Sequence, residues 1–477
     1  MCEMYERIKP RNDSMQEECG VFGIYMNDDA YDPAEAAYLG LYALQHRGQE
    51  SAGIAVAKEG EILQYKGMGL CAEVFRDSLS KIAGGKLAIG HVRYSTTGES
   101  KLTNCQPLVI SYRSGKLAIA HNGNLVNTEV LRRRLEEQGA IFQTTLDTEV
   151  MAALIARYSK EGLLPAIRKM MTLAKGAYAL TIMTEDTLIG VRDPKGIRPL
   201  ALGKLDNNYV LASESCAFDA MDAEFVRDIR PGEIVMINKD GLKSYTGVQS
   251  SETALCVFEY VYFARPDSDI DGISVYKARE AMGTRLAQRF PVDADLVADV
   301  PDSATPSASG YAAQSGIPYT KALAKNRYVG RTFIQPSQSL RERGVKLKLN
   351  AIKRNVHGKK LVLIDDSIVR GTTSKKIVEM LRLAGAREVH MMISSPPVKY
   401  PCFFGIDTPS HEQLIGAKKS IDEICRQIGA DSLHYLTIED LLKTVEGAGC
   451  NFCVGCFNGK YPVDIERANN ESETVEL

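Results

Sequence analysis

Nowhere does the 477-residue chain approach eighteen uninterrupted apolar residues, so its hydrophobic content does not form a membrane-spanning helix. It also lacks an excess of either charge. With 58 basic against 60 acidic residues, it has no electrostatic footprint for nucleic acid or an anionic membrane, and the expected partner is a small molecule. The first 18 residues hold several charges and no apolar run, which excludes a secretory signal and makes the cytoplasm the expected compartment. No internal repeat is found. What is present is 44% hydrophobic residues, enough for the cores of two or three globular domains. In a reducing compartment the 11 cysteines read as core residues, metal ligands or catalysts rather than disulfides.

From about residue 19 to 250, short apolar runs such as "CGVFGIYM", "KLAIGHVRYS", "KLAIAHNGNL" and "NYVLASES" are punctuated by Gly, Asn and Asp. With helical stretches such as "TEVMAALIARYS" between them, they predict a sandwich of sheets flanked by helices. After about residue 255, helical segments alternate with buried-strand runs in "ADLVADVPDS", "KKLVLIDDSIVRGTT" and "EVHMMISSPPV". That alternation predicts a parallel α/β sheet with ligands at the strand carboxyl ends. The boundary is expected near residues 246–256. The basic, glycine-punctuated stretch 325–350 reads as a lid or irregular loop, and the acidic tail from Asn469 is expected to fray.

The string "LVLIDDSIVRGTTSKKIVEMLRLAG" brings three parts together. Residues 361–364 make a buried strand, Asp365 and Asp366 follow, and a Gly-Thr-Thr turn opens a helix with Ile377, Met380, Leu381 and Ala384 on one face. Backbone amides at Gly371, Thr372 and Thr373, backed by the helix dipole, form a phosphate cradle. The two aspartates can take ribose hydroxyls or a hydrated Mg²⁺. Two adjacent aspartates alone are commonly solvated turn residues; the apolar run before them and "SIVRGTTS" after them favour a sugar-phosphate site. The string resembles the phosphoribosyl pyrophosphate (PRPP) motif of type I phosphoribosyltransferases, which implies PRPP contacts at Asp365, Asp366, Ser367, Arg370, Gly371, Thr372, Thr373 and Ser374. By the same resemblance "VADVPDSATPSASGYA" is the pyrophosphate loop, with Ser303 a Mg²⁺ ligand beside Asp365 and Asp366, and 325–350 is the loop that closes over PRPP.

A lone cysteine opening a strand, as Cys19 does, is more often a small core residue than a nucleophile. Its companions "LQHRGQESAGI", "GHVRYSTTG", "AHNGNL" and "TLDTEV" resemble the glutamine amidotransferase domain of the amino-terminal-nucleophile class. In that class the chain is cut just before the cysteine, here between Glu18 and Cys19. The freed α-amine, with an unperturbed pKa of about 8, serves as the general base, so no separate histidine is required. Arg93 can then clamp the α-carboxylate of glutamine and Asp147 its α-ammonium. The Asn122 side chain and the Gly123 backbone would donate to the tetrahedral oxyanion. Taken singly, Arg93 reads as a surface ion pair and Asn122-Gly123 as a hairpin turn.

Together the two halves resemble the glutamine PRPP amidotransferases, from Cys19 to about Pro462. The resemblance implies an amino-terminal-nucleophile αββα sandwich followed by a type I phosphoribosyltransferase parallel-sheet domain. Its implied division is a propeptide at 1–18, the amidotransferase domain at 19–255, the phosphoribosyltransferase domain at 256–465 and a polar tail at 466–477. It also implies glutamine and PRPP as substrates, one Mg²⁺ per subunit, ammonia passed internally to form 5-phosphoribosylamine, feedback inhibition by purine nucleotides, and a homotetramer.

"GCNFCVGCFNGKYP" places Cys450, Cys453 and Cys456 close enough to wrap a metal, and with no histidine nearby an iron-sulfur cluster is a better reading than a zinc knuckle. One branch of the resembled family carries a [4Fe-4S] cluster. Its ligands would map to Cys256, Cys402, Cys453 and Cys456, with Cys450 the spare, although three cysteines leave two adjacent pairs open. Cys2, Cys71, Cys105, Cys216 and Cys425 read as ordinary. The same branch carries a short propeptide; a start at Met15 would reduce this one to "MQEE". A PRPP-sensing regulator would not need Cys19, Arg93, Asn122 and Asp147. An electron-transfer protein would not scatter its cysteines over a phosphate-binding scaffold. Sister amidotransferases making glucosamine phosphate or glutamate do not use PRPP, which "IDDSIVRGTT" implies.

Overall fold

The structure, a computed structural model, describes residues 19–94, 101–326, 349–408 and 410–474. Glu18 and the rest of the leader lie outside the described residues, as does most of the expected PRPP-closing loop, 327–348.

The first half contains thirteen strands: β1 Gly20–Tyr25, β2 Ser51–Lys58, β3 Glu61–Met68, β4 Leu87–Arg93, β5 Leu108–Tyr112, β6 Gly115–Leu125, β7 Gly176–Met183, β8 Leu188–Arg192, β9 Ala201–Leu205, β10 Asn208–Ala212, β11 Glu224–Asp228, β12 Glu233–Asn238 and β13 Gly241–Thr246. They form two antiparallel sheets, ordered β11-β9-β10-β1-β4-β2-β3 and β13-β12-β8-β7-β6-β5. Every residue of β1 is buried, yet the two-residue period divides them between two layers. Val21 and Tyr25 face the second sheet with Ile89, Ala118, Ala179 and Leu188, while Phe22 and Ile24 face Leu41 of the helix Pro33–Ala43. At Gly23 a Cβ would lie 2.9 Å from Leu188 Cδ1, so the missing side chain lets the sheets approach without displacing that leucine. On the outer face of the second sheet, helices Asp147–Tyr158 and Leu163–Leu173 bury Val150, Leu154, Ile167 and Met170 against Leu180 and Ile189. The result is the expected helix-sheet-sheet-helix sandwich.

Farther along, a four-stranded parallel sheet runs in the order Leu296–Asp299, Lys360–Asp365, Glu388–Ile393, Ser432–Tyr435. Residues 361–364 are buried on both faces, as a parallel sheet requires. Val362 and Ile364 pack with Met282 and Tyr311 of helices Val275–Arg289 and Thr305–Ser315, while Leu361 and Leu363 pack with Ile377, Leu381 and Ile424 on the opposite side. Between the two halves, Leu255–Cys256 pairs in parallel with Phe452–Cys453, and one core cluster runs from Ala177 and Ile197 to Phe258 and Phe457.

The tail expected to fray instead forms a helix, Ile465–Thr474. Ala468 and Ser472 are buried, Asn127 Nδ2 donates to Ser472 Oγ at 2.7 Å, and Arg133 pairs with Glu473. Its polar composition conceals a few well-placed docking contacts.

Candidate active sites

Cys19 immediately precedes β1, with its thiol half-buried 3.5 Å from the Tyr94 carbonyl oxygen. Burial pushes that thiol up to about 11, against the pull of the Arg93 charge. The Cys19 carbonyl accepts from Arg47 Nε at 3.1 Å. Arg47 is itself fully buried, paired with Glu214 at 2.5 Å and with both oxygens of Glu259 at 2.9 Å. Arg198 lies 3.5 Å from the same Glu259 and donates to the Phe404 carbonyl at 3.1 Å. Burying such ions costs several kcal/mol each before pairing, so the network is better understood as fixing geometry than as adding stability. Arg47 lies within "LQHRGQESAGI", but sequence reasoning gave it no role because nothing local marks its partners, 167 and 212 residues away.

Arg93 ends β4, buried, with Nη1 3.2 Å from Glu50. Asp147 is the first residue of its helix; its Oδ2 accepts from Leu125 N at 3.0 Å and its Oδ1 lies 3.3 Å from His121 Nδ1. Burial alone would raise this carboxyl, but His121 and the Leu125 amide hold it below the usual carboxylate range. A carboxylate accepts about four hydrogen bonds, so Asp147 has capacity for a substrate ammonium. Asn122 and Gly123 lie within β6 rather than in a hairpin turn. Asn122 Nδ2 is buried and has no partner among the described residues. An orphaned buried donor costs about 1–3 kcal/mol, a cost removed when a ligand supplies an acceptor. Gly123 has φ +140°, and a Cβ there would stand 2.1 Å from the Ala177 oxygen, so only glycine fits. The turn after Cys402 abuts this strand end: Asn124 Nδ2 donates to the Phe403 carbonyl at 2.9 Å.

At the second site, strand Lys360–Asp365 delivers Asp365 and Asp366 to its carboxyl end, both buried. Burial raises both carboxyls, and for Asp365 the Asp366 charge adds to it. Ser303 Oγ donates to Asp366 at 2.6 Å and Ser367 Oγ does so at 2.7 Å, which brings the two expected loops together. Gly371, at φ +82°, precedes helix Thr372–Leu383, and no side chain caps that helix start. Its first-turn amides and dipole therefore face the carboxylate end of the sheet, with Ser374 buried in the first turn. Arg370 Nη2 donates to Gln413 Oε1 at 2.9 Å, while its Nε is buried. Arg279, which sequence reasoning missed, is buried beneath, donating to the carbonyls of Tyr260 at 2.7 Å and Ala264 at 2.8 Å. Burial lowers its guanidinium to about 10, with Asp366 opposing the shift.

Four cysteines gather where the halves meet. Cys256 is the register partner of Cys453, Cys456 lies in the turn just beyond, and the Cys456 carbonyl accepts from Lys399 N at 2.9 Å, close to Cys402. Burial pushes the Cys256, Cys453 and Cys456 thiols up, Cys453 to about 11, and proximity to Cys402 adds to each. Cys450 turns away, 3.4 Å from Asp271 Oδ2. The described cysteines are all free; Cys71, Cys105 and Cys216 are core residues and Cys425 is half-buried. Among the described residues no three Cys, His, Asp or Glu side chains converge tightly enough for one metal ion. A single zinc holds its sulfurs at about 2.3 Å, whereas a cube of four irons is wider and separates its ligands further.

The sandwich with a thiol at a strand start, joined to a parallel sheet with paired carboxylates at a helix start, defines an amide-cleaving half linked to a sugar-phosphate half. A family profile described as a glutamine amidotransferase domain matches residues 91–220. The chain is 53% identical over 458 residues to an amidophosphoribosyltransferase of Bacillus subtilis (strain 168), covering 94% of this chain and 95% of that one. It is 52% identical to one of Archaeoglobus fulgidus, covering 94% and 98%. Among solved structures it is similar to the B. subtilis glutamine PRPP amidotransferase complexed with ADP and GMP, with TM-score 0.88, 51% identity, and coverage of 94% and 98%. It is also similar to a structure described as the allosteric regulatory enzyme of purine biosynthesis, with TM-score 0.89, 50% identity, and coverage of 96% and 99%. The chain belongs to the amidophosphoribosyltransferase family.

Proposed function

We propose that the chain converts PRPP, glutamine and water to 5-phosphoribosylamine, glutamate and pyrophosphate, the first committed step of purine nucleotide synthesis. One observation carries this reading: the same chain holds an orphaned buried amide beside a thiol-bearing strand and a carboxylate pair facing a helix start. Cys19 Sγ attacks the amide carbon, and the oxyanion accepts from Asn122 Nδ2 and the Gly123 N–H. Arg93 and Asp147 hold the amino-acid end. The α-amine of Cys19 takes the thiol proton and returns it to the leaving nitrogen; ammonia departs, and water resolves the thioester to glutamate. Because its surroundings push the thiol up to about 11, it needs that base. We therefore also propose that the bond between Glu18 and Cys19 is cut, removing the leader 1–18.

Ammonia then passes inside the protein to carbon 1 of PRPP and displaces pyrophosphate. Asp365 and Asp366 position the ribose, while the amides of Gly371, Thr372 and Thr373, with Ser367, Arg370 and Ser374, hold the 5-phosphate. Asp365, Asp366 and Ser303 form an oxygen-only set that suits one Mg²⁺ per subunit, which when bound neutralises charge on the pyrophosphate. The four gathered thiols of Cys256, Cys402, Cys453 and Cys456 suit a [4Fe-4S] cluster as a brace between the halves. The B. subtilis structure is complexed with ADP and GMP, which supports purine nucleotides as ligands of this chain, and we read them as its feedback inhibitors. No helix among the described residues is long and apolar enough to cross a membrane. We place the protein in the cytoplasm as a homotetramer.

With PRPP, glutamine and Mg²⁺, glutamate and pyrophosphate should appear in equal amounts; pyrophosphate without glutamate, or neither product, refutes the reading. Amide-¹⁵N glutamine in excess unlabelled ammonia should give ¹⁵N-labelled phosphoribosylamine. Iron and sulfide analysis with intact mass should show a [4Fe-4S] stoichiometry and a chain beginning at Cys19.

A further inference from the structure

Under the reading above, the nucleophile and its oxyanion donors belong to different sheets. Cys19 is attached to β1 in the first sheet; Asn122 and Gly123 lie on β6 in the second. The sheets meet through Val21, Ile89, Ala118, Ala120, Ala179 and Leu188, an apolar interface, while polar links join their margins: Gln64 and Lys66 of β3 donate to the carbonyls of Pro107 and Cys105, Lys116 of β6 pairs with Glu61, and Arg227 of β11 reaches Glu233 and Ser244. Apolar contacts set the spacing between sheets but are not directional, so they resist a small slide weakly. A displacement of about 1 Å at reacting groups can cost about 100-fold in rate. The links at the margins lie away from Asn122, so the amidotransferase site is best held by a directional link at the oxyanion strand itself.

At that strand one buried side chain supplies it directly. His91 lies on β4, directly opposite Val21 in the register, two residues from Arg93 and fully buried. Its Nε2 is 3.0 Å from the His121 carbonyl oxygen on β6. A carbonyl only accepts, so Nε2 carries the hydrogen and Nδ1 keeps its lone pair. That Nδ1 has no partner among the described residues. Burial lowers the imidazole to about 3, so it stays neutral and the tautomer is fixed. The protein thus tolerates an orphaned buried acceptor to keep this buried cross-sheet hydrogen bond next to Asn122.

The accepting carbonyl is that of the peptide joining His121 to Asn122. His121 is held on its other sides as well: its N–H donates to Gln106 Oε1 at 2.8 Å, its Nε2 is 3.3 Å from the Ala177 oxygen, and its Nδ1 is 3.3 Å from both Asp147 Oδ1 and Thr148 Oγ1. Those four partners belong to the second sheet, its flank or its covering helix. Among these contacts of the described residues, the one from His91 comes from the sheet that carries Cys19.

We propose that His91 is a positioning residue for glutamine hydrolysis, holding the oxyanion donors Asn122 and Gly123 in register with Cys19 through its hydrogen bond to the His121 carbonyl. It touches no substrate. Its loss should lower turnover while leaving substrate binding in place, because Arg93 and Asp147 keep their own supports. This rests on the assignment of Cys19 and Asn122 made above.

The test uses His91→Phe, His91→Gln and His91→Asn in the full-length enzyme. Loss of the link in His91→Phe should lower kcat for glutamine hydrolysis about 10- to 100-fold, less than outright loss of a donor, with KM for glutamine within about 3-fold. In His91→Gln the amide nitrogen can reach where Nε2 stood, so kcat should recover toward the unsubstituted value; the shorter His91→Asn should not recover. An aldehyde analogue of glutamine adds to a thiol to give a tetrahedral adduct, so its affinity should fall in step with kcat while affinity for glutamate does not. Unchanged kcat in His91→Phe, equal kcat for His91→Gln and His91→Asn, or parallel loss of aldehyde and glutamate affinity would each overturn the proposal. If His91→Phe fails to fold, the Gln and Asn pair decides it alone. Ammonia-dependent synthesis, read in parallel, should be unchanged in the folded variants. Glutamine hydrolysis surviving in Cys19→Ala would instead refute the underlying site, whatever His91 does.

Discussion

The two sites are held together by different means. At residues 365–374, carboxylates, a glycine turn and a helix start follow one another along the chain, and the strand-to-helix connection sets their geometry. In the other half, Cys19, Arg93, Asn122, Gly123 and Asp147 come from three strands and a helix in two facing sheets. There, buried side chains outside the set hold the backbone on either side: Arg47 donates to the Cys19 carbonyl and His91 to the His121 carbonyl. A contiguous site should be sensitive mainly within its own string, whereas an assembled one should be sensitive to residues that never touch substrate.

The sharpest way to break this contrast is inside the string. Asp366→Asn should reduce both glutamine- and ammonia-dependent synthesis by about 100-fold or more, since the oxygen set with Ser303 is lost. Retained PRPP turnover would remove the site from residues 365–374. Next in size, Gly123→Ala places a methyl 2.1 Å from the Ala177 oxygen at a left-handed φ. It should cost more than about 1 kcal/mol of stability and about 100-fold in glutamine hydrolysis, with ammonia-dependent synthesis retained. Thermal melting read beside both assays checks it; an equal fall in the two activities would mean that the halves are not separable. The smallest effect is on stability against pH. His91 is lowered to about 3 when folded, against about 6.5 unfolded. Between those values the unfolded chain binds a proton that the folded chain does not, so stability is full above the upper value and declines as pH falls below it. From pH 6.5 to 5.5 the loss from this group is about 1 kcal/mol, and urea unfolding should show it absent in His91→Gln. Identical pH dependence in the two proteins would place the imidazole elsewhere.

These differences also explain what could be read in advance. The PRPP string was legible because strand, acids and helix start are consecutive, and the structure brings Ser303 to Asp366 as the resemblance implied. The sandwich was legible from the density of apolar runs, although β1 shows no polar alternation because both of its faces are covered. The roles of Arg47, His91 and His121 were not legible. They stand in quoted motifs, but their partners lie at separations of 212, 30 and 26 residues, and a histidine among apolar neighbours reads as core. The tail was misjudged for a related reason: its acidic composition gives no sign that Ser472 meets Asn127.

The central claim is that one chain divides amide cleavage and phosphoribosyl transfer between separate sites. Cys19→Ala tests it directly, by phosphoribosylamine synthesis with glutamine and with added ammonia under the same conditions. Glutamine-dependent synthesis should be abolished while ammonia-dependent synthesis stays near that of the unsubstituted enzyme. Synthesis from glutamine without the thiol, or loss of the ammonia reaction in a folded protein, would contradict it.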